Sequence, residues 1–123
     1  MTVPVPSNPE REQRPWGWFE TLSRGPDHLV KQLWLEPTCR LSLQRHRHRW
    51  EHWVVARGSG MVEINGQRQA VTAGDTLTIA QGAVHRATAG AAGLLIVEVQ
   101  RGPLLREDDI ERLEDDYGRV LSC

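Results

Sequence analysis

Apolar and polar residues alternate over short runs between Trp16 and Gln100, the two-residue period of a half-buried β-strand. The segments WGWFETL, HLVKQLWLEP, RLSLQRH, EHWVVARG, GMVEING, QRQAVTAG, DTLTIAQG, VHRATA and GLLIVEVQ read as strands, punctuated by glycine, proline, asparagine and aspartate. So many strands at such short spacing predict an all-β sandwich or barrel. Asn65-Gly66, between MVEI and QRQAV, is the strongest hairpin signal, because a two-residue type I′ turn needs positive φ at both positions. A helical period appears only near the end. In REDDIERLEDDYG, Ile110, Leu113 and Tyr117 fall at i, i+3 and i+7, which predicts a short acidic helix or a turn with one apolar edge.

With 123 residues and 13.9 kDa the chain fits one domain. Pro4, Pro6 and Pro9 oppose a helix in a stretch with little to bury, so residues 1–13 are expected to be a tail and 14–121 the folded unit. Fifteen Lys and Arg against sixteen Asp and Glu leave a net charge of −1. That balance offers no overall field for nucleic acid or an anionic membrane, so any basic function must be local. The N-terminus has no apolar signal core and no run approaches the ~20 apolar residues of a membrane span, so a cytoplasmic protein is expected. Cys39 and Cys123 are too few for a disulfide framework and are read as free thiols.

The chemistry concentrates in SLQRHRHRWEHW, 42–53, which holds three of the five histidines. It could be a basic nucleic-acid patch, a run of solvated charge or one wall of a metal site. Strand parity puts Gln44, His46 and His48 on one face and Arg45, Arg47 and Arg49 on the other, sorting potential ligands from charges. Glu51 lies near enough in sequence to return beside His46, and His85 opens a strand after the glycine turn of GDTLTIAQGAVHRA. A glutamine oxygen, two imidazoles and a carboxylate make a mixed N/O donor set suited to one divalent ion, Zn, Mn, Fe, Co or Ni. His52 should point away from Glu51, and His28 is expected in a loop. Lys31 alternates in phase with Leu29, Leu33 and Leu35, and Glu98 with Leu94 and Ile96. Each therefore points inward if its strand's apolar face does. A buried ammonium needs an anion. The five tryptophans are candidates for the core or a dimer contact, with one or two left to line a pocket.

Gln44-x-His46, Glu51 and Gly58, followed by Gly74, Gly82 and His85, resemble the two-part cupin signature with Gln in place of the first His. RPWG (14–17), VK (30–31), LSLQ (41–44), HRWEHW (48–53), VEVQRG (97–102) and EDDIERLEDDYGR (107–119) resemble the C-terminal isomerase domain of type II mannose-6-phosphate isomerase/mannose-1-phosphate guanylyltransferases. The resemblance runs from Arg14 to Arg119. It implies a cupin fold, a double-stranded β-helix or jelly-roll-like barrel, with metal held by Gln44, His46, Glu51 and His85. The chain departs from the pattern at Arg45, Arg47, Trp50 and Arg106, and it contains no guanylyltransferase portion.

The activity implied is metal-dependent aldose–ketose isomerisation of a sugar phosphate, of the mannose 6-phosphate to fructose 6-phosphate type. In that reading Lys31 stabilises developing negative charge, His48 or Glu98 carries the proton, and Arg86 and Arg106 meet the phosphate. Two rivals share the ligand set: an iron-dependent cupin dioxygenase, and a non-enzymatic sugar-binding or regulatory cupin. The partners implied are a sugar phosphate, a second copy of the chain in a homodimer, and a separate guanylyltransferase chain.

Overall fold

The computed structural model describes residues 11–118. Residues 1–10, most of the expected tail, and 119–123, with Cys123, lie outside the described residues. Among the described residues, nine strands form one antiparallel sheet: β1 Arg11–Arg14, β2 Gly17–Arg24, β3 His28–Leu35, β4 Leu43–Arg45, β5 Trp50–Ile64, β6 Gln67–Thr72, β7 Thr76–Ile79, β8 His85–Arg101 and β9 Glu111–Glu114. β1 takes in Arg11 to Gln13, which the sequence reading assigned to the tail.

The long strands β5 and β8 organise the whole. Near one end Trp50 to Gly58 pair with Arg101 to Leu94, and near the other Gly60 to Ile64 pair with Ala89 to His85. The register shifts between these stretches, so both strands bend at one corner and curl the sheet. Gly58 makes the crossing possible: a Cβ there would lie 2.1 Å from the Gly93 carbonyl oxygen, and its φ of +85° disfavours any side chain. β8 also pairs with β3 along Leu94 to Arg101 and meets β4 at Gln44↔His85. Asn65 and Gly66 both have positive φ in the two-residue connection from β5 to β6, as the hairpin signal required.

The interior faces are apolar at one end and polar at the other. On β3 the buried series is Leu29, Lys31, Leu33, Leu35; on β8 it is Leu94, Ile96, Glu98, Gln100; on β5 it is Glu51, Trp53, Val55. Leu35, Val55, Leu94 and Ile96 are at most 1% exposed, and at ~1.5–3 kcal/mol for each fully buried aliphatic side chain they help offset the polar groups taken inside with them. Trp16 and Trp53 are buried, whereas Trp18, Trp34 and Trp50 are half-buried and covered by Arg11, Arg57 and Arg101.

The short helix predicted within 106–118 is not formed. Part of that segment is β9, which pairs with β4 through Leu43↔Glu114, Gln44↔Arg112 and Arg45↔Glu111. A helix of that length is marginal in water. β4 offers a sheet edge instead, and Arg45 and Glu111 form an ion pair across it at 2.7 Å. Leu113, expected on the docked edge, is 41% exposed, while Tyr117 packs against the core.

Candidate metal centre

β4 ends at Arg45 and the chain bends through 46–49 before β5 begins. Asp109 shapes that bend by accepting the Arg47 and His48 backbone N–H groups on its two carboxylate oxygens, each at 2.9 Å. Burial works against its charge, but these bonds hold the carboxyl below its ordinary range. The bend interrupts strand parity, and with it the expected placement of two residues. His48 turns outward and is exposed, while Arg49 turns inward and is 7% exposed.

His46, Glu51 and His85 are each at most 3% exposed, with their donor atoms all within 4.8 Å of one another. His46 Nε2 is 3.2 Å from Glu51 Oε2, and His85 Nε2 is 3.6 Å from Glu51 Oε1. Donors bound tetrahedrally at ~2.1 Å would stand about 3.4 Å apart, so the two distances to Glu51 match those around an ion such as zinc. The tautomers fit as well. His46 donates its Nδ1–H to the Asp109 carbonyl at 2.7 Å and His85 donates its own to the Ala83 carbonyl at 2.9 Å, leaving both Nε2 lone pairs turned to Glu51. Burial, then the charge of Arg49, holds His46 down to about 3, and burial lowers His85, so both imidazoles are neutral as coordination requires. Gln44 stands opposite His85 in the sheet and donates its amide to the Ser42 carbonyl and hydroxyl, which leaves Oε1 as the end of the amide not spent on Ser42.

The cavity beside this cluster has a volume of about 450 Å³ and is lined by Gln44, Glu51, His85, Lys31, Glu98, Gln100, Trp53 and Arg49 among others. Trp53 Nε1 donates to Glu51 Oε1 and to Glu98 Oε1, both at 3.1 Å, and so ties two carboxylates together. Burial and then the Glu51 charge push Glu98 from 4.5 to about 7. Gln100 donates to Glu98 Oε2 at 3.0 Å, while its own Oε1 is buried with no hydrogen-bond partner. Lys31 lies over the Phe19 ring, 4.2 Å from its centroid, and pairs with Glu107, which also lines the cavity.

Arg86 and Arg106, the candidate phosphate contacts, do not face this cavity. Arg86 follows His85 on the opposite face of β8, where it donates to the Leu41 carbonyl and pairs with Glu114. Arg106 is exposed and held by Asp108. The inward cations are instead Lys31, Arg49, Arg14 and Arg112. Arg49 and Gln100 were missed by the sequence reading. Their signal lay in counting by twos from the neighbouring acids, since Arg49 shares parity with Glu51 and Gln100 with Glu98.

A sequence profile described as mannose-6-phosphate isomerase C-terminal matches residues 7–115. The chain belongs to that family. Within this isomerase-C-terminal family it is 45% identical over 108 residues to the alginate biosynthesis protein AlgA of Pseudomonas aeruginosa, and 41% identical over 108 residues to the mannose-1-phosphate guanylyltransferase ManC of Salmonella typhimurium. Each match covers 87% of this chain and 22% of the relative, so the chain spans about a fifth of those proteins' length. Among solved structures, KdgF from Halomonas sp. superposes with a TM-score of 0.71 at 17% identity, covering 80% of this chain and 88% of that one. An RmlC-like cupin from Shewanella frigidimarina gives 0.71 at 19% identity, covering 80% and 86%. The fold is a cupin. No helix among the described residues is long and apolar enough to cross a membrane.

Proposed function

We propose that this domain isomerises a sugar phosphate between aldose and ketose forms, of the mannose 6-phosphate to fructose 6-phosphate type, with one divalent ion held by His46, Glu51, His85 and the Gln44 oxygen. The observation that carries the reading is the conjunction, in one cavity, of a buried neutral His–Glu–His set with a second carboxyl, Glu98, pushed to about 7. A bound ion would supply Lewis-acid polarisation of the sugar carbonyl. A carboxyl near neutrality is populated in both forms, so Glu98 can take the proton from C2 of the aldose and return it to C1. The hydroxyl proton moves from O2 to O1 to complete the exchange. Trp53 fixes the Glu98 oxygen during transfer, and Lys31 faces negative charge on the substrate. The family, and relatives named for alginate biosynthesis and mannose-1-phosphate guanylyl transfer, support a sugar phosphate as the substrate class.

The test is NMR of metal-supplemented protein with hexose and pentose phosphates in D2O. Deuterium entering C2 of mannose 6-phosphate supports isomerisation. Binding without exchange points to a sugar-binding cupin, and oxygen uptake with iron to a dioxygenase. His46→Ala and His85→Ala should each lose the ion by elemental analysis while His28→Ala keeps it, and retention by both site variants overturns the assignment. We further propose that the chain pairs as a homodimer through β1, an edge strand among the described residues. A sedimentation coefficient that stays monomeric at micromolar concentration removes that proposal.

A further inference from the structure

Arg49 sits among the candidate ligands rather than beside them. Its Nε donates to Glu51 Oε2 at 2.9 Å, its Nη2 approaches the same oxygen at 2.8 Å, and Nη2 donates to His46 Nε2 at 3.3 Å. These are lone pairs that a metal ion at this cluster would use. A carboxylate oxygen engaged twice by a guanidinium and an imidazole nitrogen engaged once have little left for a second cation. Metal and guanidinium also repel one another, most strongly in an interior that water does not screen.

Charge balance points the same way. Arg49 and Glu51 already cancel one another in the buried cluster, paired at 2.8 Å with both side chains at most 7% exposed. A divalent ion added to that arrangement would leave the site strongly positive unless the guanidinium withdrew. Withdrawal has somewhere to go. Arg49 lines the cavity, and its Nη1 already donates to the Arg106 backbone carbonyl at 3.2 Å, away from the ligand cluster.

We infer that Arg49 is a resident cation that competes with the metal for Glu51 and His46, so that loading the ion expels the guanidinium into the substrate cavity. The arginine thereby keeps the ligand set paired and ordered before metal arrives. It also sets the affinity well below what the ligands alone would give, and becomes a cavity cation for an anionic substrate once the ion is in place. The inference rests on the metal-site reading above, since it presumes that His46, Glu51 and His85 bind an ion.

The experiment titrates Co²⁺ into chelator-stripped full-length protein against a chromophoric chelator, with the cobalt d–d absorption reporting coordination. Wild type is compared with Arg49→Met, Arg49→Lys, His85→Ala and the Arg49→Met/His85→Ala double variant. Arg49→Met should bind about tenfold tighter or more, because a buried competitor and its charge are gone. Arg49→Lys, which keeps the charge but not the fork, should fall between. Should Arg49→Met fail to fold, Arg49→Gln carries the same expectation. In wild type, the Arg49 side-chain ¹⁵N resonances should shift on adding Zn²⁺ as the bonds to Glu51 and His46 break. If Arg49→Met binds Co²⁺ equally or more weakly while His85→Ala abolishes binding, the metal site stands and Arg49 supports rather than opposes the ion. If neither wild type nor Arg49→Met binds cobalt, or His85→Ala retains it, the metal-site reading fails and takes this inference with it.

Discussion

Replacing Glu98 with glutamine should stabilise the metal-free domain at alkaline pH and do almost nothing at acid pH. Glu98 is 4% exposed, and burial together with the Glu51 charge raises its carboxyl from 4.5 to about 7. Holding the ionised form therefore costs ~3 kcal/mol relative to the unfolded chain. Because the folded value is the higher one, the folded chain keeps a proton through that window which the unfolded chain has released. The protonated form's stability is fully present below 4.5 and is lost as pH rises through about 7. Glutamine has no such loss. It can keep the Trp53 bond through its oxygen, and its new amide hydrogens meet Gln100, whose partnerless Oε1 can accept one after a half-turn of that amide.

His46 moves in the other direction. Its folded value of about 3 lies below the ordinary 6.5, so its stabilisation is present above 6.5 and lost as pH falls towards 3. Both proteins share that acid limb, so the difference between them isolates Glu98. Urea unfolding of chelator-treated protein, followed by tryptophan fluorescence, should give Glu98→Gln an advantage approaching 3 kcal/mol near pH 8 and little at about pH 5. A difference that does not change with pH, or a variant weaker than wild type near pH 8, would mean that Glu98 is ionised in the fold as a partner of Arg49 and Lys31.

Asp109→Ala removes the acceptor of two N–H groups in the bend that carries His46 and Arg49 while keeping the backbone carbonyl that holds the His46 ring. Water can replace part of that bonding, so the expected cost is about 1–2 kcal/mol, with faster hydrogen exchange at Arg47 and His48 as the local readout. Gly58→Ala drives a methyl into the Gly93 carbonyl at a positive φ and should cost more than about 2 kcal/mol. Gly66→Ala shares the positive φ but meets no atom within 4 Å, so its loss should be closer to ~1 kcal/mol, and equal falls in Tm for the two would contradict this account of the corner.

The strands were legible because their inward faces obey a period of two even where the residue is charged. Lys31 and Glu98 were placed correctly by the leucines and isoleucine around them. Asn65-Gly66 fixed one hairpin by backbone chemistry alone. The errors fall where a local pattern was extended past the end of its element. Parity carried forward from His46 put His48 inside, but Asp109, far along the chain, bends the backbone between them. The helix predicted near the C-terminus failed for a related reason: its local period competed with an open edge on β4 and an arginine waiting there for Glu111. The Trp53 bridge between Glu51 and Glu98 depends on β5 lying beside β8, a pairing that no local pattern announces.

The pairing of Gln44 with His85 also bears on the order in which the molecule assembles. His46 and Glu51 are neighbours in sequence, but His85 reaches them only after β5, β6 and β7 have formed a path back and β8 has crossed it. Such non-local closure must overcome loop entropy before its contacts repay it. The β5–β6 hairpin can form early because its turn is local, whereas the buried polar wall can close only after the long strands meet. Until then Glu51, Glu98 and both imidazoles remain hydrated, because each is buried only in the closed sheet. The buried polar wall thus depends wholly on long-range pairing, and a change that weakens the meeting of β5 with β8 would open it to water while leaving the β5–β6 hairpin its own local turn.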